Sequence, residues 1–327
     1  MKAYAARTKD RDLLMKSSSG GVFTELAKVV LSRQGVVYGC VWKHPEMVAV
    51  HVRAERESEL EPMRGSKYVP SDISLAVTQI PEDLAQDRKV LFTGTPCQVA
   101  AVRKRVESEV ALKPFRSNLF LVEIICHGVP EPEVWEEYKR QLGKPIVDIR
   151  FKDKRTGWKN PTMVVSFADG SFQESTLYSN PFVRAYMSGL AMREGCFRCP
   201  FKAGKSGADL TIGDFWGVGK HVPAWRDDLG VSAVVVWNDQ GSWLFDKCDS
   251  ALGIQIVCCG SIAASNPNLS SPHRPHPGRM RFLSCYRNTS VQDWGDHVSS
   301  RMTIGQFVKR LMNYLTHKHF VNKEGRK

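Results

Sequence analysis

The 327-residue sequence has no long apolar run and no apolar segment near its start. A membrane-spanning helix needs about 20 mostly apolar residues, and a secretory signal needs an apolar core behind a basic start. The opening MKAYAARTKDRDLLMK is polar and charged, so we expect no transmembrane segment, no export and a cytoplasmic location. The nine cysteines are an odd number for such a chain, which argues against a disulfide framework.

Several catalytic and binding motifs are also missing. The sequence has no G-x-S-x-G nucleophile turn, no phosphate-binding P-loop and no repeat of solenoid length. It has no recognisable nucleic-acid motif, so we expect no nucleic-acid partner. The net charge of +12 leaves two interpretations: a basic surface spread over the molecule, or attraction to an anionic cofactor, an acidic partner or a membrane surface.

Strand and helix patterns alternate along much of the chain and predict an α/β fold. SSSGGVFTELAKVVLSRQG has the apolar spacing of a helix, and VVYGCVW and VAVHVRA predict paired strands. Two buried strands, KVLFTG and NLFLVEII, each lead through a short turn into a helix, an arrangement that places reactive groups at the carboxyl end of a parallel sheet. We expect residues 1–16 to form only a loose lead-in.

The pattern changes after Ile146. IVDIRFKDK and MVVSFADGSFQEST alternate and predict an antiparallel hairpin that turns at Asp169-Gly170. Residues 265–282 are rich in Pro, His and Arg and predict irregular structure, whereas residues 303–320 predict a basic amphipathic helix. That helix either packs on its own domain or binds an acidic electron-donor protein. The predicted fold is a mixed sheet with flanking helices, an antiparallel hairpin insertion and a C-terminal helical extension.

Four short segments carry residues suited to a bound anion or ring. SSGG opens a helix, where free N–H groups and the helix dipole favour an anion, although a plain helix cap explains it too. The TGT turn after a buried strand and the loop GSKY suit phosphate or ring contacts, or are simply solvated. The carboxylate in GDFWG either orients a cofactor or caps a turn. The candidate cofactor contacts are Ser19, Gly20, Gly21, Lys67, Tyr68, Thr93, Gly94, Thr95 and Asp214.

The cysteines give a more specific signal. Cys196 and Cys199 form a C-x-x-C pair, and Cys97 and Cys126 each follow a predicted buried strand. These four residues are the candidate metal ligands. Zinc and an iron–sulfur cluster both accept four thiolates, so ligand identity alone does not choose between them. Structural zinc usually uses two local pairs, so the two dispersed single cysteines favour a cluster; a site without metal stays open as well.

The same stretches resemble the beta-subunit family of coenzyme F420 hydrogenases and dehydrogenases. The resemblance runs from about residue 3 to residue 240 and rests on SSSGGVFTELAKVVL, GSKYVPSD, VLFTGTPCQVAAVRK, ICHGVPEPEVWEEY, NPFVRAYMSGLAMREGCFRCPF and ADLTIGDFWG. It implies an α/β fold, one [4Fe–4S] cluster, FAD, and a two-electron exchange with the deazaflavin coenzyme F420 or another organic acceptor. Some relatives of this family are linked to polysaccharide gene clusters.

The resemblance also implies an organisation. We expect residues 1–82 to be a cofactor-binding part, residues 83–245 the cluster-binding part of the same catalytic unit, and residues 246–327 an irregular segment with the basic helix. Many relatives carry an amino-terminal ferredoxin-like module, but no cysteine precedes Cys40 here. We therefore expect a ferredoxin or other donor protein to supply electrons, and a homo-oligomer is compatible with the sequence. The competing hypothesis is a non-catalytic structural or assembly protein with a four-cysteine zinc site.

Overall fold

A computed structural model describes residues 1–299 of the chain and has the predicted mixed α/β architecture. Its twelve strands are β1 (Lys2–Thr8), β2 (Val36–Lys43), β3 (Val48–Ala54), β4 (Ser71–Asp72), β5 (Val90–Gly94), β6 (Leu119–Ile124), β7 (Ile146–Asp153), β8 (Thr162–Phe167), β9 (Phe172–Thr176), β10 (Leu210–Asp214), β11 (Ser232–Val236) and β12 (Leu252–Ile256). Its α-helices are α1 (Arg11–Met15), α2 (Val22–Leu31), α3 (Ser74–Ala85), α4 (Pro96–Glu107), α5 (Pro132–Leu142), α6 (Pro181–Met187), α7 (Asp239–Asp246), α8 (Cys259–Ser265), α9 (Arg279–Cys285) and α10 (Asp296–Ser299).

The main sheet has nine strands in the order β12-β1-β11-β10-β6-β5-β2-β3-β4. Its centre, β2, β5, β6 and β10, is parallel. Parallel strands are covered on both faces and therefore read as continuous apolar runs, and every residue of β5 is buried. The predicted pairing of β2 with β3 is confirmed, as are the helices that follow β5 and β6.

Residues 1–16 are not a loose lead-in, and that prediction was wrong. They form β1, which lies between β11 and β12 and pairs antiparallel with both, and then the short helix α1. The apolar side chains of β1 include Ala3, Ala5 and Ala6, all buried. Because these side chains are small and both neighbouring strands lie more than two hundred residues away in the sequence, the local pattern gave little sign of the strand.

The segment after residue 246 is more regular than the sequence suggested. β12 joins the edge of the main sheet beside β1, and α8 and α9 follow it, with irregular chain between these two helices as predicted. The predicted basic helix at 303–320 lies outside the described residues. The proposed division at 82/83 and 245/246 stays a prediction. No helix within residues 1–299 is long and apolar enough to cross a membrane.

The predicted hairpin is a small antiparallel sheet, β7-β8-β9. Gly170 has φ +81° at the predicted turn between β8 and β9. One face of this sheet packs on α5 and α6 through an aromatic core that includes Trp135, Phe151 and Phe182. Helix α6 ends at Met187, and Gly189 has φ +85°. Because the aromatic core holds the small sheet on α5 and α6, strand β7 lies beside the main sheet.

Candidate functional site

Three parallel strands end at one edge of the main sheet, and each carries a predicted site residue there. β5 pairs with β6, and β6 pairs with β10. Cys97 lies in the first turn of α4, which directly follows β5, and Cys126 lies just after β6. Asp214 is the last residue of β10. The expectation that the two single cysteines occupy equivalent strand ends is confirmed.

A short backbone contact brings the C-x-x-C pair to the same edge. The N–H of Arg193 donates to the carbonyl oxygen of Val129 at 2.9 Å, and Pro130 and Met192 form an antiparallel bridge. These contacts tie the loop that follows β6 to the segment that leads into the C-x-x-C pair. Through these contacts, the loop that begins at the carboxyl end of β6 positions Cys196 and Cys199.

The four candidate thiols are electrostatic neighbours. The pKa of Cys126 is raised to about 12, mainly by burial; the charge of Lys202 lowers it, and the charges of Cys97 and Cys196 contribute to the increase. Burial also raises the pKa of Cys196, with further contributions from the charges of Cys97 and Cys199. At neutral pH the Cys126 and Cys196 thiols are thus protonated, so a metal that binds here must displace protons.

A zinc ion and an iron–sulfur cluster need different spacings between the thiol sulfurs that bind them. Within residues 1–299, no three His, Cys, Asp or Glu side chains stand close enough together to hold a single metal ion. A zinc ion needs every thiolate sulfur about 2.3 Å from one point. The sulfurs that hold a cluster bind separate iron atoms, so they stand further apart. The choice between a zinc ion and a cluster at these four cysteines stays a prediction from the sequence.

Asp214 is held by two groups from the small sheet and the loop after it. One carboxylate oxygen lies 2.5 Å from the ammonium of Lys152, and the other accepts a hydrogen bond from the indole N–H of Trp158 at 3.0 Å. The Lys152 ammonium also lies over the ring of Trp216, 5.0 Å from its centroid. The ring of Trp216 stacks on that of Trp158. Asp214 is partly buried and acts here as an anchor for β7 through the buried Lys152, a role that the sequence did not predict.

A cleft of about 600 Å³ lies on the side of β7 that faces the loops after α1 and before β4. This volume lies within the usual range for small-molecule sites, roughly 300–1,000 Å³. The aromatic rings of Trp42 and Phe151 contribute to its wall. Lysine and arginine outnumber the carboxylates Glu61, Asp148 and Asp153 in the lining. The basic side chains are Lys16, Arg64, Lys67, Arg150, Lys152, Lys154 and Arg155.

Lys154 joins three segments behind this cleft. Its ammonium donates hydrogen bonds to the backbone oxygens of Leu14, Ser19 and Leu229, and the residue is 3% exposed. Burial, reinforced by the charge of Lys152, lowers the pKa of Lys154 to about 7. The backbone of Ser19, a predicted cofactor contact that does not itself line the cleft, is thus held by a lysine that sequence reasoning missed.

Lys67 organises the loop on the other side of the cleft. Its ammonium lies 3.1 Å from the carbonyl oxygens of Pro62 and Arg64 and 3.3 Å from that of Gly65. Burial lowers the pKa of Lys67. Of the predicted cofactor contacts, Lys67 is the one whose side chain lines the cleft.

Gly20 and Gly21 have packing roles that the helix-start interpretation did not include. A Cβ on Gly20 would lie 2.3 Å from the carbonyl oxygen of Ala6 and 2.6 Å from the backbone nitrogen of Ser232. Gly21 has φ +79° at the N-cap of α2, and a Cβ there would lie 2.8 Å from the side chain of Thr8. Both glycines are needed for close packing against β1 and β11, so their contact with a cofactor stays a prediction.

The turn Thr93-Gly94-Thr95 lies on the cysteine side of the site. The Thr93 hydroxyl donates to the carbonyl oxygen of Tyr38 at 3.2 Å. Thr95 is the N-cap of α4 and has a side-chain oxygen 3.2 Å from the Cys97 sulfur. None of the three residues lines the cleft, so the structure separates them from Lys67 and places them beside a candidate ligand.

Aromatic residues fill the space between the cysteines and the cleft. The ring of Tyr186 lies 5.6 Å from that of Tyr68, which lies 5.2 Å from that of Phe151 on the cleft wall. Burial raises the pKa of Tyr68, and the charge of Asp214 raises it further. The pKa of Tyr186 is raised by burial and then by the charge of Cys126. Tyr68 and Tyr186 therefore connect the two halves of the site.

Sequence reasoning missed Lys152, Lys154 and Tyr186. Both lysines lie in or just after the alternating strand IVDIRFKDK, where charged positions normally face solvent. The available signal was their spacing, because residues two apart in a strand share a face. The segment GDFWG supplies the carboxylate that pairs with Lys152, whereas Lys154 binds backbone carbonyl oxygens. The ring of His127 contacts the Met187 carbonyl oxygen and the Asn268 amide.

Comparisons with known proteins show the family to which the chain belongs. Residues 3–78 match the sequence model of the coenzyme F420 hydrogenase/dehydrogenase beta subunit N-terminus, and residues 87–257 match that of its C-terminus. The fold is similar to a chain in a xenon-derivatised structure of the F420-reducing [NiFe] hydrogenase complex from Methanosarcina barkeri, with a TM-score of 0.54 and 18% identity over 91% of this chain and 90% of that chain. A search of curated proteins found no match. The family supports an oxidoreductase role in electron transfer, and the chain belongs to the coenzyme F420 hydrogenase/dehydrogenase beta subunit family.

Proposed function

We propose that this protein is an iron–sulfur flavoprotein that passes electrons from a separate donor protein to an organic acceptor. Cys97, Cys126, Cys196 and Cys199 would hold a [4Fe–4S] cluster, and the basic cleft would hold FAD. The observation that carries the proposal is the assembly of four thiols from three distant segments at one sheet edge, next to that cleft.

The residues of the cleft suit a flavin nucleotide. Its excess of lysine and arginine would attract the phosphates of the nucleotide, and the rings of Trp42 and Phe151 offer apolar surface for a planar ring. Lys67 and the loop that it organises would contact the nucleotide on one side, and the backbone near Ser19 on the other. A cluster supplies one-electron transfer, and a flavin supplies the conversion to a two-electron hydride transfer.

Lysine side chains of this protein hold positive charge in fixed positions at the site. Lys152 is held by Asp214 and the Trp216 ring, so it presents a positive charge at the cleft wall without rearrangement. Lys154 holds together the segments behind the wall. Fixed positive charge stabilises a bound group that gains negative charge when it is reduced. Tyr68 and Tyr186 keep water out of the space between cleft and cysteines.

The family of the chain and its net positive charge indicate which electron donor and which electron acceptor to propose. We propose a ferredoxin or similar acidic protein as the donor and a small organic molecule, either the deazaflavin coenzyme F420 or another acceptor, as the substrate. A basic protein of net charge +12 attracts an acidic donor at low ionic strength. A cytoplasmic location and a homo-oligomeric state are part of the same proposal. A link to polysaccharide biosynthesis stays a prediction from the sequence.

The test is a cofactor inventory combined with an electron-transfer assay. Protein purified without oxygen should contain iron, acid-labile sulfide and FAD, and reduced ferredoxin should bleach its visible absorption. Addition of oxidised F420 or another organic acceptor should then restore the absorption. Colourless protein that contains zinc and no flavin would instead support the structural or assembly protein with a four-cysteine zinc site.

A further inference from the structure

Lys202 is a buried cation beside the candidate cluster ligands. The residue is 7% exposed. Its ammonium donates to the backbone oxygen of Cys126 and to that of Asn268, the latter at 3.1 Å. Pro96 and Cys126 line the same small space as Lys202. The cation therefore lies between the loop that carries Cys126 and the start of the helix that carries Cys97.

This cation makes no direct ion pair in the part of the chain that the structure describes, although Glu123 lines the same small space. No carboxylate of residues 1–299 forms an ion pair with it. Its charge reaches Glu123, but that carboxyl group is held by the hydroxyls of Ser206 and Thr211. The other titratable groups that its charge affects include His127 and His273, which carry no negative charge. Burial of an unpaired ammonium is costly, so its retention needs a reason.

We infer that Lys202 is a fixed positive charge that compensates the four cysteine thiolates of the cluster site and raises the reduction potential of the cluster. This inference rests on the proposed function. A cluster held by four thiolates is anionic, and reduction makes it more negative. Net charge near a cluster is one of the factors that set its potential. A buried positive charge next to one ligand would therefore favour the reduced state.

Two variants separate the charge from the hydrogen bonds. Lys202→Gln keeps N–H donors for the two carbonyl oxygens but removes the charge, and Lys202→Arg keeps the charge. Lys205→Gln is the control, because Lys205 is exposed and lies one turn further along the same loop. The measurement is a potentiometric titration of each purified protein, followed by the electron paramagnetic resonance signal of the reduced cluster, with iron and sulfide assays and circular dichroism on the same samples.

We expect Lys202→Gln to shift the one-electron equilibrium towards the oxidised cluster by about tenfold, which equals a potential lower by about 59 mV. Lys202→Arg and Lys205→Gln should stay near the wild-type value. Folded Lys202→Gln that loses iron while Lys202→Arg keeps it would also support the inference. An unchanged potential in Lys202→Gln, or loss of iron from both Lys202 variants, would overturn it. Wild-type protein without iron would refute the proposed function instead.

Discussion

The ammonium of Lys152 lies 2.5 Å from the carboxylate of Asp214, although the lysine side chain is only 1% exposed. This ion pair joins β7 of the small sheet to the carboxyl end of β10 in the main sheet. The hairpin insertion is therefore fixed to the edge that carries the cysteines, and the cleft wall is rigid at this point. A single buried pair thus links the two sheets on which the proposed function depends.

Replacement of Asp214 by asparagine should lower stability strongly. The amide side chain would keep an acceptor for Trp158 but would leave the Lys152 charge buried and unpaired, so we expect the free energy of unfolding to fall by about 3 kcal/mol. Urea denaturation measures this change. The matched control is Asp169→Asn, because Asp169 pairs with Lys144 at the surface, where solvent screens the pair, so this substitution should change stability much less. Equal effects of the two substitutions would contradict the role of the buried pair.

Replacement of Gly20 by alanine should destabilise the fold before it affects any ligand. The new methyl group would clash with the backbone of β1 and β11, and overpacking of this kind costs about 1–3 kcal/mol. Thermal unfolding without added flavin measures the effect. Gly260→Ala in α8 is the control, since a Cβ there meets only an ordinary contact with Cys258. Weaker FAD binding with unchanged thermal stability would favour the predicted cofactor contact instead.

The pH dependence of stability should report on Lys154. Its pKa in the folded protein is lowered to about 7, below the ordinary lysine value of about 10.4 in the unfolded chain. The unfolded state thus binds more protons between these values, and this group makes the protein more stable as pH rises. The stability of wild type relative to Lys154→Met should increase by about 1 kcal/mol per pH unit from about pH 7 to about pH 9. Parallel curves would mean that Lys154 stays charged in both states, held by its three carbonyl partners.

Replacement of Lys67 by methionine should weaken flavin binding. The substitution removes a positive charge from the cleft and the contacts that hold the loop of Arg64 and Gly65. We expect the Kd for FAD to rise by about tenfold, equal to about 1.4 kcal/mol, as measured by the quenching of flavin fluorescence. Lys113→Met removes an exposed lysine elsewhere and should leave the Kd unchanged. The same Kd for wild type and the Lys67 variant would remove Lys67 from the site.

Much of the site's framework could be predicted from the sequence because parallel strands reveal themselves locally. Buried apolar runs followed by a turn and a helix located the edge at which Cys97 and Cys126 lie. The rest of the framework depends on contacts between segments that are distant in the sequence. Neither the strand β1 nor the position of β7 is encoded in a local pattern, because their partners come from remote parts of the chain.

The cleft illustrates the same limit. Sequence reasoning placed the glycines of the helix start at a cofactor, which stays a prediction, and it did not foresee that they pack closely against β1 and β11. It also treated the lysines of IVDIRFKDK as ordinary strand residues, and their burial depends on carbonyl and carboxylate partners from other elements. A buried lysine can be recognised only once those partners are in place.

The central claim is that Cys97, Cys126, Cys196 and Cys199 together hold a [4Fe–4S] cluster. The most direct measurement is the iron and acid-labile sulfide content of anaerobically purified wild type, of the four single Cys→Ala variants, and of Cys248→Ala. Cys248 is buried at the end of α7 and donates to the carbonyl oxygen of Leu244, so it controls for the loss of any buried thiol. We predict about four iron and four sulfide per wild-type or Cys248→Ala chain and a large loss in each of the other four variants. Iron that is lost from Cys248→Ala but kept in Cys97→Ala, or wild-type protein with zinc and no sulfide, would contradict the claim.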